Sequence, residues 1–446
     1  MLLYLAPMKK TVSIIFSLII LLGIVFYLFV YPKLEIVSGF NAKILCSCHF
    51  MTGLDQERIE NEDTGFSLLW LASNEIDEKK KRVATSVLGL HKKVAVYREG
   101  KGCALINQTD PNEIQKESLP LDEIQYSEEI WSDEQVKGDS HFQKVLQTAF
   151  DSTSEKNLLT RAVLVIKDGE LIGEAYANGI DQNTPLLGWS MTKSITSILA
   201  GILVKKGELN IDNSMPVESW EDERSEITWK HALNMSTGLK WEEDYGAVSP
   251  ATKMLYSSDD MGMSAASWPL DYEPGTYWEY SSGTTNIIAR ELQTFFDTQD
   301  AYQLFPYREL FSKVGARTFR IETDASGHFV GSSYGYASAR DWAKLGLLML
   351  NEGNWYGEQI IDTSWVDFCR EPVADSDGKY GGHFWLNRGN TFTHYSSEAY
   401  WMSGYQGQQV AIHPKKNIVI VRLGITNTRG EFDFDGFTRR VMEGLE

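Results

Sequence analysis

The sequence predicts an α+β fold: one antiparallel sheet flanked by helices. Strand patterns stand at both ends of residues 141–446. Arg161–Ile166 and Leu171–Tyr176 flank an Asp168-Gly169 turn, and Gln408–His413 and Ile418–Leu423 are joined by Pro414-Lys415-Lys416-Asn417. Helical patterns fill the interval, among them Thr285–Phe296 and Ala339–Leu350, and Asp435–Leu445 reads as a final helix. Strands at the ends with helices between them suit an α+β domain.

Taken from the N-terminus, residues 1–33 read as a transmembrane anchor. Thr11–Tyr31 is an uncharged apolar run long enough to cross a bilayer. Lys9 and Lys10 precede it, which places the N-terminus in the cytoplasm and the remainder in the periplasm or outside the cell. A cleaved signal peptide would have a shorter apolar region and a small-residue cleavage site, whereas here Tyr27, Phe29, Tyr31 and Pro32 follow. Residues 34–108 read as a small β-rich module, with strands at Phe66–Leu71 and Lys92–Tyr97. Residues 109–140, acidic and poor in large apolar side chains, read as a linker. Residues 141–446 form the main domain.

The bulk composition, 43% hydrophobic and 23% charged, is globular, and a formal charge of -19 argues against nucleic acid as a partner. In an oxidising compartment the four cysteines allow a disulfide from Cys46 or Cys48 to Cys103. Cys46-Ser47-Cys48-His49 is tighter than a zinc C-x₂-C pair and has no second ligand pair, so no metal is expected there. His231, His383, His394 and His413 show no ligand spacing and read as structural or exposed.

The chemistry concentrates at Trp189-Ser190-Met191-Thr192-Lys193. After Lys193, the apolar residues Ile195, Ile198, Leu199, Ile202 and Leu203 recur at helical spacing, and Lys205-Lys206-Gly207 reads as a helix stop. Ser190 and Lys193 therefore lie one turn apart on one helix face, where an amine can take the serine's proton. The competing reading of Ser190 is a plain N-cap. A second S-x-x-K, Ser376-Asp377-Gly378-Lys379, sits among Asp and Gly and reads as a solvated turn.

Two more segments join it. Glu279-Tyr280-Ser281-Ser282-Gly283 supplies a tyrosine whose pKa is expected to fall beside a lysine ammonium. Trp401-Met402-Ser403-Gly404-Tyr405-Gln406-Gly407 supplies small residues that let a backbone approach a ligand, and an N–H that can pair with that of Ser190 as an oxyanion hole.

S-x-x-K on a helix, Tyr280 about ninety residues later and a glycine-containing strand near the C-terminus come in the order of the class C β-lactamase and DD-peptidase superfamily, which residues 150–446 resemble. Thr237-Gly238-Leu239 is similar to a further segment of that family. The resemblance implies a β-lactamase/transpeptidase-like sheet domain with an all-helical subdomain. Where that family usually has Tyr-x-Asn, this chain has Ser282, and where it usually has Lys-Thr-Gly, this chain has Met402-Ser403-Gly404. Both departures remove groups that grip a β-lactam. Gly-x-x-Gly-Gln before Ile412-His413-Pro414 is similar to 6-aminohexanoate-dimer hydrolases and related esterases.

For the site, the resemblance implies Ser190 as nucleophile, Lys193 and Tyr280 sharing the proton relay, and the N–H groups of Ser190 and Tyr405 as oxyanion donors. It also implies Tyr245, Ser282 and Gly404 at the substrate, which would be a small-molecule ester or amide. No metal or cofactor is expected. The alternatives are a D-amino-acid or cell-wall peptidase, a β-lactamase, and a catalytically silent binding module of the same fold.

Overall fold

A computed structural model describes residues 5–132, 140–150, 157–427 and 432–445, the side chains of residues 5–13 excepted, so the side chains of Lys9 and Lys10 lie outside it. The N-terminal apolar run is helical. Helix α1 (Leu5–Val25) passes through a π turn (Phe26–Val30) into α2 (Tyr31–Ser47), with Pro32 in the first turn of α2. The large apolar side chains from Ile14 to Val30 are exposed, and burial begins at Leu34. The exposed stretch is long and apolar enough to cross a membrane, a property shared by anchors and signal sequences.

Residues 34–71 are not β structure. Helix α2 is buried on all sides from Val37 to Ser47, polar Ser38, Asn41 and Lys43 included. A helix enclosed all round carries no amphipathic period, which is why the sequence pattern missed it. Phe66–Leu71 is a turn: Ser67 sits at φ 54°, outside the extended region, and Leu69–Leu71 is a 3₁₀ turn. The β structure starts at Ala72. Strands β1 (Ala72–Asp77), β2 (Arg82–Val87), β3 (Leu90–Arg98) and β4 (Gly102–Ile106) form an antiparallel meander in that order, with α2 against β2 and β3.

This N-terminal portion is fastened to the rest by buried polar bonds. Cys46 and Cys103 form a disulfide between α2 and β4, leaving Cys48 as a buried thiol 3.7 Å from Asp63 Oδ1. Lys43 pairs with Glu322 in the interior, and Glu322 also accepts from the Cys103 N–H at 2.6 Å and the Ser47 hydroxyl at 2.9 Å. Arg98 donates to the Thr323 carbonyl at 2.7 Å, and Arg161 donates to Asp63 at 2.6 Å.

The acidic segment expected as a linker is docked as far as it is described, residues 133–139 lying outside the described set. It holds a short helix, Pro111–Ile114, and the buried Trp131, whose Nε1–H donates to the Gly169 carbonyl. The Ser127 N–H donates to the Ser312 carbonyl, and Glu129 accepts from Lys344.

The main domain is built on seven strands. Its elements run α3 (Ser140–Gln147), β5 (Thr160–Lys167), β6 (Glu170–Tyr176), α4 (Met191–Lys205), α5 (Ser282–Glu291), α6 (Ala339–Leu350), β7 (Tyr380–Gly381), β8 (Phe384–Leu386), β9 (Tyr400–Gly404), β10 (Gln408–His413), β11 (Ile418–Gly424) and α7 (Phe434–Gly444). The sheet order is β7-β8-β9-β10-β11-β5-β6, antiparallel throughout, and Val421 of β11 faces Leu164 of β5. The period of two sorts the strand side chains. Val163 and Val165 join Phe142, Phe437 and Val441 of α3 and α7 on one face. Leu164 and Ile166 join Trp342 and Leu345 of α6 on the other. Between β6 and β7 lie α4, α5, several shorter helices and a small three-stranded sheet.

Candidate active site

The site forms where the start of α4 meets the end of β9. Trp189, two residues before the first residue of α4, is buried at φ 47°, a left-handed position uncommon for a large side chain. Its ring is fixed by an Nε1–H bond to Gln406 Oε1 at 3.0 Å. Here two backbones touch: a Cβ on Gly404 would lie 2.1 Å from the Gly188 carbonyl oxygen, so only glycine fits on β9 at this crossing.

Ser190 occupies the N-cap position of α4, yet its side chain makes no capping bond. Its hydroxyl instead accepts from Lys193 Nζ at 3.0 Å. Lys193 is buried, and its amine also donates to Ser282 Oγ at 2.8 Å and to the Ser332 carbonyl at 3.1 Å. Three acceptors match the three donors of an ammonium. Burial pushes this amine down to about 8, while the Glu243 carboxylate works in the opposite direction.

Tyr280 lies beside both residues, near enough to Ser190 for that hydroxyl to act on its pKa, and with its ring centroid 4.8 Å from Lys193 Nζ. Its pKa does not fall as the sequence led us to expect. Burial and then Glu243 push the phenol well above its ordinary value, and the Ser190 hydroxyl opposes them. Tyr280 is therefore a protonated donor at neutral pH.

Glu243, two residues before Tyr245, organises this end of the cleft. It accepts from the Ser282 N–H at 2.9 Å, from the Ser282 hydroxyl and from Tyr245 OH at 2.6 Å. Tyr245 OH also meets Ser282 Oγ at 3.1 Å, and its ring stacks on Tyr405. Burial and Glu243 raise the Tyr245 phenol as well. The only sequence signal was the acidic run Glu242-Glu243-Asp244, which does not say which member turns inward.

Ser190, Tyr245, Tyr280, Gly404 and Tyr405 all line one cavity of about 850 Å³. Ser282 stands just behind it, buried against Lys193. Ser190, Lys193, Tyr245, Tyr280, Ser282, Gly404 and Tyr405 are thus brought to one place. Ser376 of the second S-x-x-K lies in a turn, bonded to the Val373 carbonyl, and does not line the cavity.

His383 is buried between the Leu233 carbonyl and Thr285 Oγ1, and burial lowers its pKa to about 3, which keeps it neutral. Asp260, Asp324 and His328 bring three possible metal-ligand atoms within 4.8 Å of one another. Those carboxylates are already engaged, Asp260 with Arg290 and the Met263 N–H, Asp324 with the N–H groups of Met261, Ser326 and His328. None of the three lines the cavity.

The β-lactamase family model matches residues 141–442. The chain belongs to the β-lactamase family. Among relatives within and around that family, it is 25% identical over 297 residues to the 6-aminohexanoate-dimer hydrolase of Paenarthrobacter ureafaciens, covering 59% of this chain and 72% of that one. A Bacillus anthracis protein named for the same hydrolase superposes with a TM-score of 0.57 at 19% identity, over 73% of this chain and 88% of its own. A family VIII carboxylesterase superposes at 0.54 and 16% identity, over 71% and 98%. These likenesses show the mixed α/β fold of the β-lactamase family, with antiparallel sheet and helices.

Proposed function

We propose that the protein hydrolyses an ester or amide through an acyl-enzyme on Ser190. One observation carries the reading: a buried amine, Lys193 Nζ, stands 3.0 Å from a serine hydroxyl that its helix leaves uncapped. The neutral amine takes the Ser190 proton as Oγ attacks the carbonyl carbon. The N–H groups of Ser190 and Tyr405 receive the oxyanion. Tyr280, protonated and beside Ser190, passes its proton to the leaving alcohol or amine. The Lys193 ammonium then returns its extra proton to the Tyr280 phenolate, restoring the free amine and the phenol. Water attacks the acyl carbon as Lys193 takes its proton, and that proton passes to Ser190 Oγ as the acid product leaves. Glu243 and Ser282 hold the relay and Tyr245 in place.

The site lacks the usual supports for a β-lactam. Ser282 is occupied by Lys193, Tyr245 and Glu243, and the residue in the place of the family's third-motif cation, Met402, is fully buried. The names of the relatives, a 6-aminohexanoate-dimer hydrolase and a family VIII carboxylesterase, support the same choice. We also place the exposed helix at Ile14–Val30 in a bilayer as an anchor, with the domain on the outer side.

The experiment is a substrate panel on the full-length chain with fluorophosphonate labelling alongside. Labelling at Ser190 and cleavage of p-nitrophenyl esters or linear amides, with little nitrocefin turnover, is expected. A folded protein that the probe does not label would leave the silent binding module in its place. Fast turnover of nitrocefin or of D-Ala-D-Ala peptides would replace the esterase/amidase reading with a β-lactamase or a peptidase.

A further inference from the structure

The cavity that begins at Ser190 does not end in the main domain. Its far wall is the N-terminal portion: Lys33, Val37 and Phe40 of α2, with Phe66, Leu68 and Leu69 of the following turn. Phe40 packs on Trp189, the residue before Ser190, with ring centroids 6.1 Å apart. The helix that closes the cleft is thus the direct continuation of the exposed apolar helix. From Val30, the last exposed apolar residue, to Lys33 at the cavity is three residues, or about 5 Å along the axis.

A second observation points the same way. Tyrosines aside, every strongly exposed large apolar side chain among the described residues belongs to Ile14–Val30 or to two turns, Leu68 with Trp70 and Leu88 with Leu90. Trp70 is 67% exposed and Leu88 78%. Both turns stand beside α2. The His91 ring packs at a tilt against Tyr31, centroids 4.1 Å apart, and Phe66 packs edge-on against Phe40. A tryptophan and leucines around the foot of an apolar helix are what a protein presents to a membrane interface.

We propose that the cleft takes a long, unbranched acyl ester directly from the bilayer. This rests on the hydrolase reading given above. The tail enters between Lys33 and Leu68 at headgroup depth and runs along Val37 and Phe40, bringing its carbonyl to Ser190. The hydrophobic contribution of each methylene so buried is worth about fourfold in binding.

The test uses full-length protein in phosphatidylcholine vesicles, with 4-methylumbelliferyl acetate and decanoate as probes and fluorophosphonate labelling of Ser190 to report an intact site. We expect kcat/KM for the decanoate to exceed that for the acetate at least about tenfold. Val37→Trp, set across the tail's path, brings the ratio to about one, and Leu68→Ser, on an exposed turn where the fold tolerates a polar side chain, lowers it severalfold. A fluorogenic long-chain ester embedded in vesicles is cleaved when it shares a vesicle with the enzyme and not from separate vesicles. An acetate activity with a ratio near one in the wild type, or a ratio that neither variant moves, overturns the proposal and leaves the hydrolase standing. Equal cleavage from separate vesicles overturns delivery from the bilayer. Absence of labelling and of both ester activities overturns the hydrolase reading and this one with it.

Discussion

Raising the pH from 7 to 8 should speed acylation about fivefold, and replacing Glu243 by glutamine should move that rise to lower pH. Lys193 can accept the Ser190 proton only when neutral. With its pKa held down to about 8, roughly one molecule in eleven has the free amine at pH 7 and one in two at pH 8. A lysine at its ordinary value would supply only about one in three thousand at pH 7, so burial raises the reactive fraction by more than two orders of magnitude. Glu243 opposes that shift through Ser282, which bonds both groups. Two hydrogen bonds in series place the charges about 5 Å apart, where unit charges interact by about 3 kcal/mol at an effective dielectric of 20. Solvent in the cleft reduces this, and Glu243→Gln should lower the midpoint by about one unit. The variant is sterically conservative, because the Tyr245 and Ser282 hydroxyls can turn to accept from the new amide NH₂. The assay is the p-nitrophenol burst, or the rate of fluorophosphonate labelling, between pH 5.5 and 9.5. A rate that falls with rising pH through 8 would refute Lys193 as the base. A midpoint that stays put or rises in Glu243→Gln would refute the electrostatic link.

Four further outcomes follow from the same geometry. Tyr280→Phe should lower kcat about a hundredfold or more while leaving the midpoint near 8, since the phenol acts as a donor; an upward displacement of the midpoint by several units would assign the base to the tyrosine instead. Gly404→Ala places a methyl 2.1 Å from the Gly188 carbonyl, and should cost about 1–3 kcal/mol of stability in denaturant melts together with most of the activity. Glu322→Gln leaves the Lys43 ammonium buried without its counter-charge and should cost about 3–5 kcal/mol by the same measurement. Replacing Cys46 and Cys103 by serine opens a link across 57 residues, for which chain entropy gives about 4 kcal/mol, read as a lower midpoint that reductant no longer affects.

The parts of this structure that were legible in the sequence are those encoded by short-range spacing. Strands β5, β6, β10 and β11 show strand-like apolar patterns, and α6 occupies Ala339–Leu350 as its period indicates. Ser190 and Lys193 were legible because one helical turn brings them together. Helix α2 was not, because it is enclosed on every side and shows no polar face. The wall it adds to the cleft was hidden for a second reason: Phe40 and Trp189 meet across 149 positions of chain, and nothing local to either announces the contact.

Depth was the quantity the sequence withheld, and the proton relay depends on it. Placing Tyr280 near Lys193 suggested that the ammonium would draw the phenol's pKa down, so that either residue could serve as base. In the folded chain both groups are buried, and desolvation penalises whichever form is charged. For the amine that form is the protonated one, so its pKa falls to about 8; for the phenol it is the deprotonated one, so its pKa climbs. Glu243 raises both, adding to the effect of burial on the tyrosine and subtracting from it on the lysine. One environment therefore drives the two groups apart, and the mechanism we propose gives them opposite roles, Lys193 as acceptor of the Ser190 proton and Tyr280 as donor to the leaving group. A shallower site, with the same residues in the same order, would leave Lys193 a permanent cation and Ser190 without a base.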